Sequence, residues 1–256
     1  MATDILEQTA VRADGPPMRG ASRQVRPLLS DGDRLSRNEF ERRYLDAPES
    51  FKAELIEGVV HVASPVRDEL HGVPHARLVT WLCVYEASTP GVRTSDNATV
   101  RLDWDNEPQP DASLRILPEF GGQSRDEEGY VALAPEWVGE IAASSASYDL
   151  HDKLEAYRRN GVREYFVWRT EDGALDWFVH RGGRYEPLAA GADGLLRSEV
   201  FPGLWLDPAA LLAGDLHRVL EVLNAGLASP EHESFVAQLQ TRRVARIPSV
   251  KSASTP

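Results

Sequence analysis

The chain has one cysteine and no long apolar run among its 256 residues. A single cysteine, Cys83, excludes an internal disulfide and a cysteine-ligated metal cluster. No apolar stretch is long enough to cross a bilayer, so we expect no membrane partner. The first residues lack the basic and then apolar pattern of a secretory signal. These absences predict a cytoplasmic protein.

Positive charge is also scarce. The 28 Lys and Arg residues are outnumbered by 40 Asp and Glu, which gives a net charge of −12. Residues 1–27 carry +1 and residues 229–256 carry +2, so the part between them carries −15. Because nonspecific nucleic-acid binding depends on neutralising phosphates, this balance argues against binding over the whole surface but allows a local basic face. One candidate face is Lys153, Arg158, Arg159 and Arg163, although a solvated helix surface is the more common explanation.

Composition divides the chain into three parts. Residues 1–27 are rich in Gly, Pro and Arg without periodicity, which predicts a disordered N-terminal tail. From Ser229 the composition turns polar, so we expect an extended, disordered tail over residues 229–256. The part between, residues 28–228, predicts a single domain of the α/β class.

Local patterns predict the elements of that domain. Ser36 and Glu39 have the spacing of a capping box at a helix start, and Glu57-Gly58 is a hairpin turn within residues 54–62. Further expectations, in chain order, are an amphipathic helix (71–86), a strand (98–104), a strand from Asp111, a charged loop (121–129), a β-meander after Trp168, an edge strand (195–206) and a helix (211–227).

One stretch, residues 111–168, contains two charges that a plain core would not have. Glu140 lies in the strand-like apolar run 137–142, and Lys153 lies on a helical stripe with Leu154 and Tyr157. A buried charge is costly unless it is paired or binds a metal. With Asp111, these residues predict a divalent cation site that has a positive group beside it.

Alternation along the strand sharpens this expectation. Val138, Glu140 and Ala142 share one face, because successive strand residues point to opposite sides. The small side chain of Ala142 leaves space beside Glu140 that the ammonium of Lys153 could occupy. Asn160-Gly161 ends the helix, and an aromatic strand follows, so the unit is strand, helix, strand with a crossover.

A constellation of motifs, in order along residues 34–210, resembles a known family. It comprises Glu54-Leu55-Ile56-Glu57-Gly58, Ser64-Pro65, His71, Gln109-Pro110-Asp111, Glu140-Ile141, residues 144–147, Asp149, Lys153, Tyr157 and Gly161-Val162-Arg163-Glu164-Tyr165. This order is similar to that of the Uma-type restriction endonuclease family, within the PD-(D/E)XK nuclease-like superfamily. The resemblance implies a restriction endonuclease-like fold, with a central mixed sheet flanked by helices and an added C-terminal β-meander.

The resemblance also implies roles for particular residues. Asp111 after Pro110 and Glu140 match the two acids of the superfamily motif and would bind Mg²⁺ or Mn²⁺. The usual lysine position is Ala142 here, whereas Lys153 matches the place in the following helix from which this branch of the superfamily takes its lysine. Glu54 matches an acid of the first hairpin that lies at the metal site. The expected activity is Mg²⁺-dependent hydrolysis of DNA.

Other functions remain open at this point. A nuclease-fold protein could bind nucleic acid or another partner without cleaving it, and fold alone does not decide between these functions. A paired-carboxylate glycosidase would leave the lysine unexplained. His71 and His75, one turn apart, could bind metal but are more often surface residues. Cys83 is a core residue rather than a nucleophile on this pattern.

Aromatic residues in the C-terminal half suggest self-association. Trp168, Trp177, Phe178 and Trp205 could present an apolar face, and large exposed faces of this kind mark interfaces. The sequence therefore predicts a homodimer.

Overall fold

The computed structural model describes residues 28–246 except Ser64, Val66 and Ser144. Two predicted tails therefore lie wholly or partly outside the described residues: all of residues 1–27 and the last ten residues of 229–256. Ser64 and Ser144, which belong to the family motif, also lie outside them. No helix in the described part of the chain is long and apolar enough to cross a membrane.

Helices and short strands alternate along the described residues. The helices are α1 (Arg37–Tyr44), α2 (Val73–Ser88), α3 (Ala146–Tyr148), α4 (Leu154–Asn160), α5 (Pro208–Ala213), α6 (Leu216–Leu227) and α7 (Pro230–Arg246). The strands are β1 (Ala53–Ile56), β2 (Val59–Val62), β3 (Val92–Asp96), β4 (Val100–Arg101), β5 (Ala112–Ile116), β6 (Arg125–Glu127), β7 (Tyr130–Ala132), β8 (Trp137–Ala142), β9 (Glu164–Arg169), β10 (Ala174–Arg181), β11 (Arg184–Pro187), β12 (Leu196–Arg197) and β13 (Trp205–Leu206). Two π-helical turns, Asp68–Gly72 and Asp149–Lys153, lead into α2 and α4.

A six-stranded mixed sheet forms the centre, in the order β11-β10-β9-β8-β5-β3. Strands β8 and β9 are parallel, because the chain crosses over through α3 and α4 between them, and the other neighbouring pairs are antiparallel. Strands β9, β10 and β11 form a meander that extends this sheet. The α/β class, the mixed sheet and the C-terminal meander predicted from the sequence are therefore confirmed.

The two faces of the sheet bury different clusters. One face packs Trp81, Trp137 and Phe166 with residues of α6 and α7. The other packs Val138, Ala142, Tyr157, Tyr165 and Val167 with Val100 and Val131 of a small second sheet, β4-β7-β6. The register of β8 thus divides as the alternation predicts, with Val138 and Ala142 on the α4 side.

Two of the four aromatic residues expected to present an apolar face are buried. Trp168 and Trp177 are 4% and 3% exposed and lie in the larger core cluster. Trp177 contacts the rings of Trp81, Trp137 and Phe166 edge-on. These tryptophans are buried by their own chain and cannot form part of an exposed interface. The homodimer therefore stays a prediction, and these two residues no longer support it.

The hairpin turns show one success and one error. Glu57 and Gly58, at φ 53° and 71°, form the predicted turn between β1 and β2. Residues 121–129 were expected as a charged loop, but they contain β6 and a turn at Glu128-Gly129, with φ of 53° and 87°. The same Glu-Gly pair makes both turns, and the charged residues of β6 concealed the second hairpin.

Other boundaries also differ from the sequence expectation. The strand expected over residues 98–104 is reduced to β4, which pairs in parallel with β7, and residues 195–206 form the small pair β12–β13. The helix expected over residues 211–227 is interrupted at Gly214, whose φ of 76° ends α5. Ser36 precedes α1 without capping it through its side chain, and the side chain of Glu39 bonds to Arg42 and Arg43.

The expected disorder from Ser229 is wrong over Pro230–Arg246, which is helix α7. His232, Phe235 and Leu239 lie three and four residues apart and are buried, so a narrow stripe anchors an otherwise polar helix. Phe235 meets the ring of Phe201, and His232 bonds to the hydroxyl of Thr89 at 2.9 Å. The polar composition of the segment did not indicate this stripe, because three buried positions hardly change its average composition.

Leu239→Ala tests the anchoring of α7. The side chain is fully buried, so truncation should lower the free energy of unfolding by about 2–4 kcal/mol. Gln238→Ala, at an exposed position of the same helix, should change it by less than about 0.5 kcal/mol. Urea unfolding measures both, and equal values for the two variants would contradict the packing of α7 on the core.

Glu164, the first residue of β9, is hydrogen-bonded to the loop of residues 198–200. Its buried carboxylate accepts hydrogen bonds from the Ser198 hydroxyl at 2.7 Å and from the backbone N–H groups of Glu199 and Val200 at 2.7 and 3.1 Å. Burial, opposed by these bonds, raises the pKa of Glu164 from 4.5 to about 7.

This pKa makes stability depend on pH. Between pH 4.5 and 7 the folded state retains a proton on Glu164 that the unfolded chain releases, so the free energy of unfolding falls as pH rises, and the loss is complete above pH 7. Glu164→Gln should remove up to about 3 kcal/mol of this decline between pH 5 and 8. Urea titrations across that range provide the measurement, and parallel curves for the two proteins would refute the assignment.

Candidate active site

The structure brings Asp111 and Glu140 to neighbouring strands. Ala112 pairs with Gly139 across β5 and β8, so the same register continued by one residue sets Asp111 opposite Glu140. Directly opposite residues of an antiparallel pair share a face. The Asp111 carboxylate also accepts a hydrogen bond from the backbone N–H of Ile141 at 2.7 Å. Glu140 is 3% exposed and Asp111 is 8% exposed.

Lys153 is the cation at the centre of the site. Its Nζ lies 3.0 Å from Oε1 of Glu54, 3.1 Å from Oε1 of Glu140 and 3.8 Å from Oδ1 of Asp149. The hairpin β1–β2, the sheet and the crossover helix each supply one part of this contact. Tyr157, one turn after Lys153, donates a hydrogen bond from its hydroxyl to the same Oε1 of Glu140 at 2.8 Å.

A π-helical turn presents this lysine. Residues Asp149–Lys153 form the wide turn, and the ordinary helix α4 begins at the next residue. Wide turns of this kind shift the side chains that follow relative to a regular helix and are frequent at functional sites. The hydroxyl of Tyr165 holds the turn to the sheet by a 3.0 Å hydrogen bond to the Asp149 carbonyl, and Ser145 bonds to the Asp149 carboxylate at 2.6 Å.

Two histidines border Asp111. His71 Nε2 lies 3.1 Å from the Asp111 carboxylate, and His75 Nε2 lies 2.8 Å from the Asp111 carbonyl and 3.1 Å from Asp96. Sequence reasoning favoured a surface position for this pair. The structure corrects that expectation, because the N-terminal part of the helix lies against the start of β5 and leaves the two side chains only 20% and 16% exposed.

The site contains more carboxylates than cations. Glu54, Glu140 and Asp149 lie within 4 Å of the Lys153 ammonium. Asp111 lies beside them and contacts His71. Burial raises the pKa of Glu140 well above 4.5, against the opposing charge of Lys153. Burial likewise raises the pKa of Asp149. A buried excess of negative charge is costly and favours either a proton or a bound cation.

The pKa values of the basic groups depend on the neighbouring carboxylates. Burial opposes the charge of Lys153, but Glu140, Glu54 and Asp149 outweigh it and raise the lysine pKa well above 10.5, so the ammonium stays charged. The hydrogen bond with Asp111 raises the pKa of His71. Burial of Asp111 is outweighed by His71 and by the Ile141 N–H, and its pKa is lowered.

The donor set fits a magnesium-type ion with few protein ligands. No group of three or more His, Cys, Asp and Glu side chains within the described residues is arranged to hold a metal ion. Mg²⁺ nevertheless is usually bound by one or two carboxylates and retains several waters. Asp111 and Glu140 provide two hard oxygen donors at neighbouring positions, and the excess of carboxylates supplies the charge such an ion requires.

Other buried acids show what a structural carboxylate looks like in this protein. Glu136 accepts hydrogen bonds from the backbone N–H groups of Ile116 and Gln123, each at 2.9 Å, much as Glu164 does in its loop. Glu140 instead contacts a lysine and a tyrosine hydroxyl. The sequence did not indicate Glu136, and it left Asp149 and the hydroxyl of Tyr157 without a role in the site.

The central mixed sheet flanked by helices defines a restriction endonuclease-like α/β protein. The model of the family Uma2, described as "Putative restriction endonuclease", matches residues 37–209, and the chain belongs to this family. A nuclease role and a nucleic-acid substrate follow at this level. Among curated proteins, none matches the chain.

One solved structure is similar at 18% identity, with a TM-score of 0.49 over 73% of this chain and 97% of the other. It is the crystal structure of a "putative nuclease belonging to DUF820" from Anabaena variabilis ATCC 29413.

The contacts of Lys153 predict a strong effect on stability. Lys153→Met leaves the buried Glu140 and the half-buried Glu54 without their cation, so the free energy of unfolding at pH 7 should fall by about 3–5 kcal/mol. Adding Glu140→Gln should recover part of this loss, since one uncompensated charge is then gone. Arg158→Met, in the same helix but at the surface, should leave stability nearly unchanged. The measurement is denaturant unfolding of five proteins: the wild type, Lys153→Met, Glu140→Gln, their double variant and Arg158→Met. Simple additivity of the two site substitutions would refute the pairing.

Proposed function

We propose that this protein is a metal-dependent endonuclease that hydrolyses DNA phosphodiester bonds, with Asp111 and Glu140 as the ligands of Mg²⁺ or Mn²⁺. The observation that carries the proposal is the contact of Lys153 with Glu140, the acid that lies beside Asp111 on the next strand. A structural ion pair alone does not account for three carboxylates around one lysine, with Asp111 beside them. Membership of the nuclease family gives this arrangement a chemical purpose.

A bound Mg²⁺ would supply a water of lowered pKa and positive charge near the phosphate. The residues of the chain supply the rest. Asp111 and Glu140 direct oxygen donors to one place, and the Ile141 N–H fixes one oxygen of Asp111. His71 holds the other oxygen of Asp111 at 3.1 Å, so both carboxylate oxygens have a defined orientation.

Lys153 is suited to act on the phosphate or the attacking water. An ammonium has three N–H donors, and the contacts with Glu54 and Glu140 use two of them. The third can stabilise negative charge on the phosphate in the transition state. Glu54 receives the backbone N–H of Gln109 at 3.2 Å and the Tyr148 hydroxyl at 3.3 Å, so it is held in place to orient the lysine.

The test is cleavage of supercoiled plasmid, linear duplex and single-stranded DNA with Mg²⁺ or Mn²⁺. Asp111→Asn and Glu140→Gln should abolish cleavage. Lys153→Arg retains the positive charge that the fold needs, but a planar fork does not replace a compact ammonium, so the rate should fall by roughly 10²–10³. Arg158→Ala, a surface change in the next turn, should keep the wild-type rate on saturating DNA.

Metal binding provides an independent control. Mg²⁺ or Mn²⁺ should raise the melting temperature of the wild type, as any ligand of the native state does, and Asp111→Asn with Glu140→Gln should remove the shift. An equal shift in the double variant would locate the ion elsewhere. A shift without cleavage of any substrate would favour the alternative, a nuclease-fold protein that binds nucleic acid without cutting it.

A further inference from the structure

Two arginines lie directly opposite each other near the candidate active site. Arg93 of β3 pairs in register with Arg115 of β5, so both project from the same face of the sheet. Like charges in this position repel each other and destabilise the sheet unless an anion lies between them. Asp126 of β6 supplies that anion: it lies 3.5 Å from Arg93 Nη1 and contacts Arg115 Nη2.

Arg115 remains incompletely satisfied by this contact. Its side chain is 2% exposed, yet Nε and Nη1 have no hydrogen-bond partner. Ser113, two residues earlier on the same face of β5, and Ser124, just before β6, also have buried hydroxyls without partners. An unpaired buried donor is costly, and a guanidinium is the most expensive to leave so. A group with several acceptor oxygens would satisfy these donors better than one carboxylate.

The location connects this cluster with the catalytic acids. Asp111, Ser113 and Arg115 alternate along β5 and therefore share a face. Four residues separate Asp111 from Arg115, which corresponds to about 13 Å along the strand. A nucleic-acid strand with one phosphate at Asp111 and Glu140 would carry another phosphate near this distance. Arg93, 47% exposed, and Asp126, 58% exposed, form the accessible side of the cluster.

We propose that Arg93, Arg115 and Ser113 form a second phosphodiester-binding subsite, which Asp126 of the β6–β7 hairpin occupies in the free protein. The choice of a nucleic-acid strand as the ligand rests on the proposed function. Guanidinium groups bind phosphate through two parallel N–H bonds, from Nη2 together with either Nε or Nη1. Nη2 of Arg115 contacts Asp126 while Nε and Nη1 are unpaired, so displacing Asp126 opens a whole edge of the guanidinium to the phosphate. When Asp126 is displaced, the phosphate takes over its ion pairs and adds the bonds that Arg115 lacks.

The test measures binding of a fluorescent DNA oligonucleotide by anisotropy, in EDTA and over a range of salt concentrations. Asp126→Asn should tighten binding about tenfold at low salt, because the internal competitor loses its charge. The plot of log K against log salt should steepen by about 0.9 for duplex or 0.7 for single strands, the expectation for one further neutralised phosphate. Arg115→Gln added to Asp126→Asn should remove most of this gain.

Glu127→Gln is the matched control. It makes the same change in net charge in the same strand, but Glu127 pairs with Arg125 rather than with the two arginines. An equal gain from Asp126→Asn and Glu127→Gln would show a general charge effect and overturn the proposal. So would unchanged binding in a folded Asp126→Asn protein. Binding of inorganic phosphate by calorimetry, without any oligonucleotide effect, would assign the site to a free anion and also overturn it.

Two further arms keep the proposal separable from cleavage. Glu140→Gln should leave the effect of Asp126→Asn intact, because the assay contains no divalent metal, so an inactive nuclease can still show the subsite. If Asp126→Asn fails to fold, Arg93→Gln in the wild type replaces it, since this side chain is half-exposed. It should lower affinity and reduce the salt slope by about 0.9, and an unchanged slope would overturn the proposal.

Discussion

The charge of Lys153 is the constraint on which the site depends. It lies among carboxylates from a hairpin, a central strand and its own helical turn, and removing the cation would leave their charges uncompensated at a large cost in stability. The sheet in turn fixes the place where the lysine must arrive, because Glu140 is held between the neighbouring strands of Asp111 and Val167. The same lysine and carboxylates therefore affect both the stability of the fold and the candidate chemistry, so a substitution among them should alter both.

Much of this site could be predicted from the sequence, because its charged residues stand in otherwise apolar patterns. A glutamate in an apolar strand and a lysine on an apolar helix stripe both conflict with their surroundings, and alternation was enough to place Glu140 on the helix side. The histidines could not be found in this way, because their partner Asp111 is distant in the chain and a half-buried histidine looks like a surface one. Tyr157 looked apolar, because a sequence does not show where a hydroxyl points.

Secondary-structure elements were predicted wrongly where average composition or a contact with a distant element decided the structure. Helix α7 is held by three buried positions in a polar sequence, and the β6–β7 hairpin is formed largely from charged residues. Strand β4 is extended only as far as its partner β7 reaches. In each case the deciding interaction lies outside the local window, whereas the central strands, rich in β-branched and aromatic residues, were predictable because they are buried on both faces.

The crossover between β8 and β9 has a further consequence for how the site comes into being. Glu54, Asp111 and Lys153 are separated by long intervals of sequence, and the lysine lies on the connection between β8 and β9. Loops of this length close slowly compared with local structure, and contacts between distant residues form late in folding. A partly folded chain would have its acids without their cation. The complete site therefore requires assembly of the whole domain.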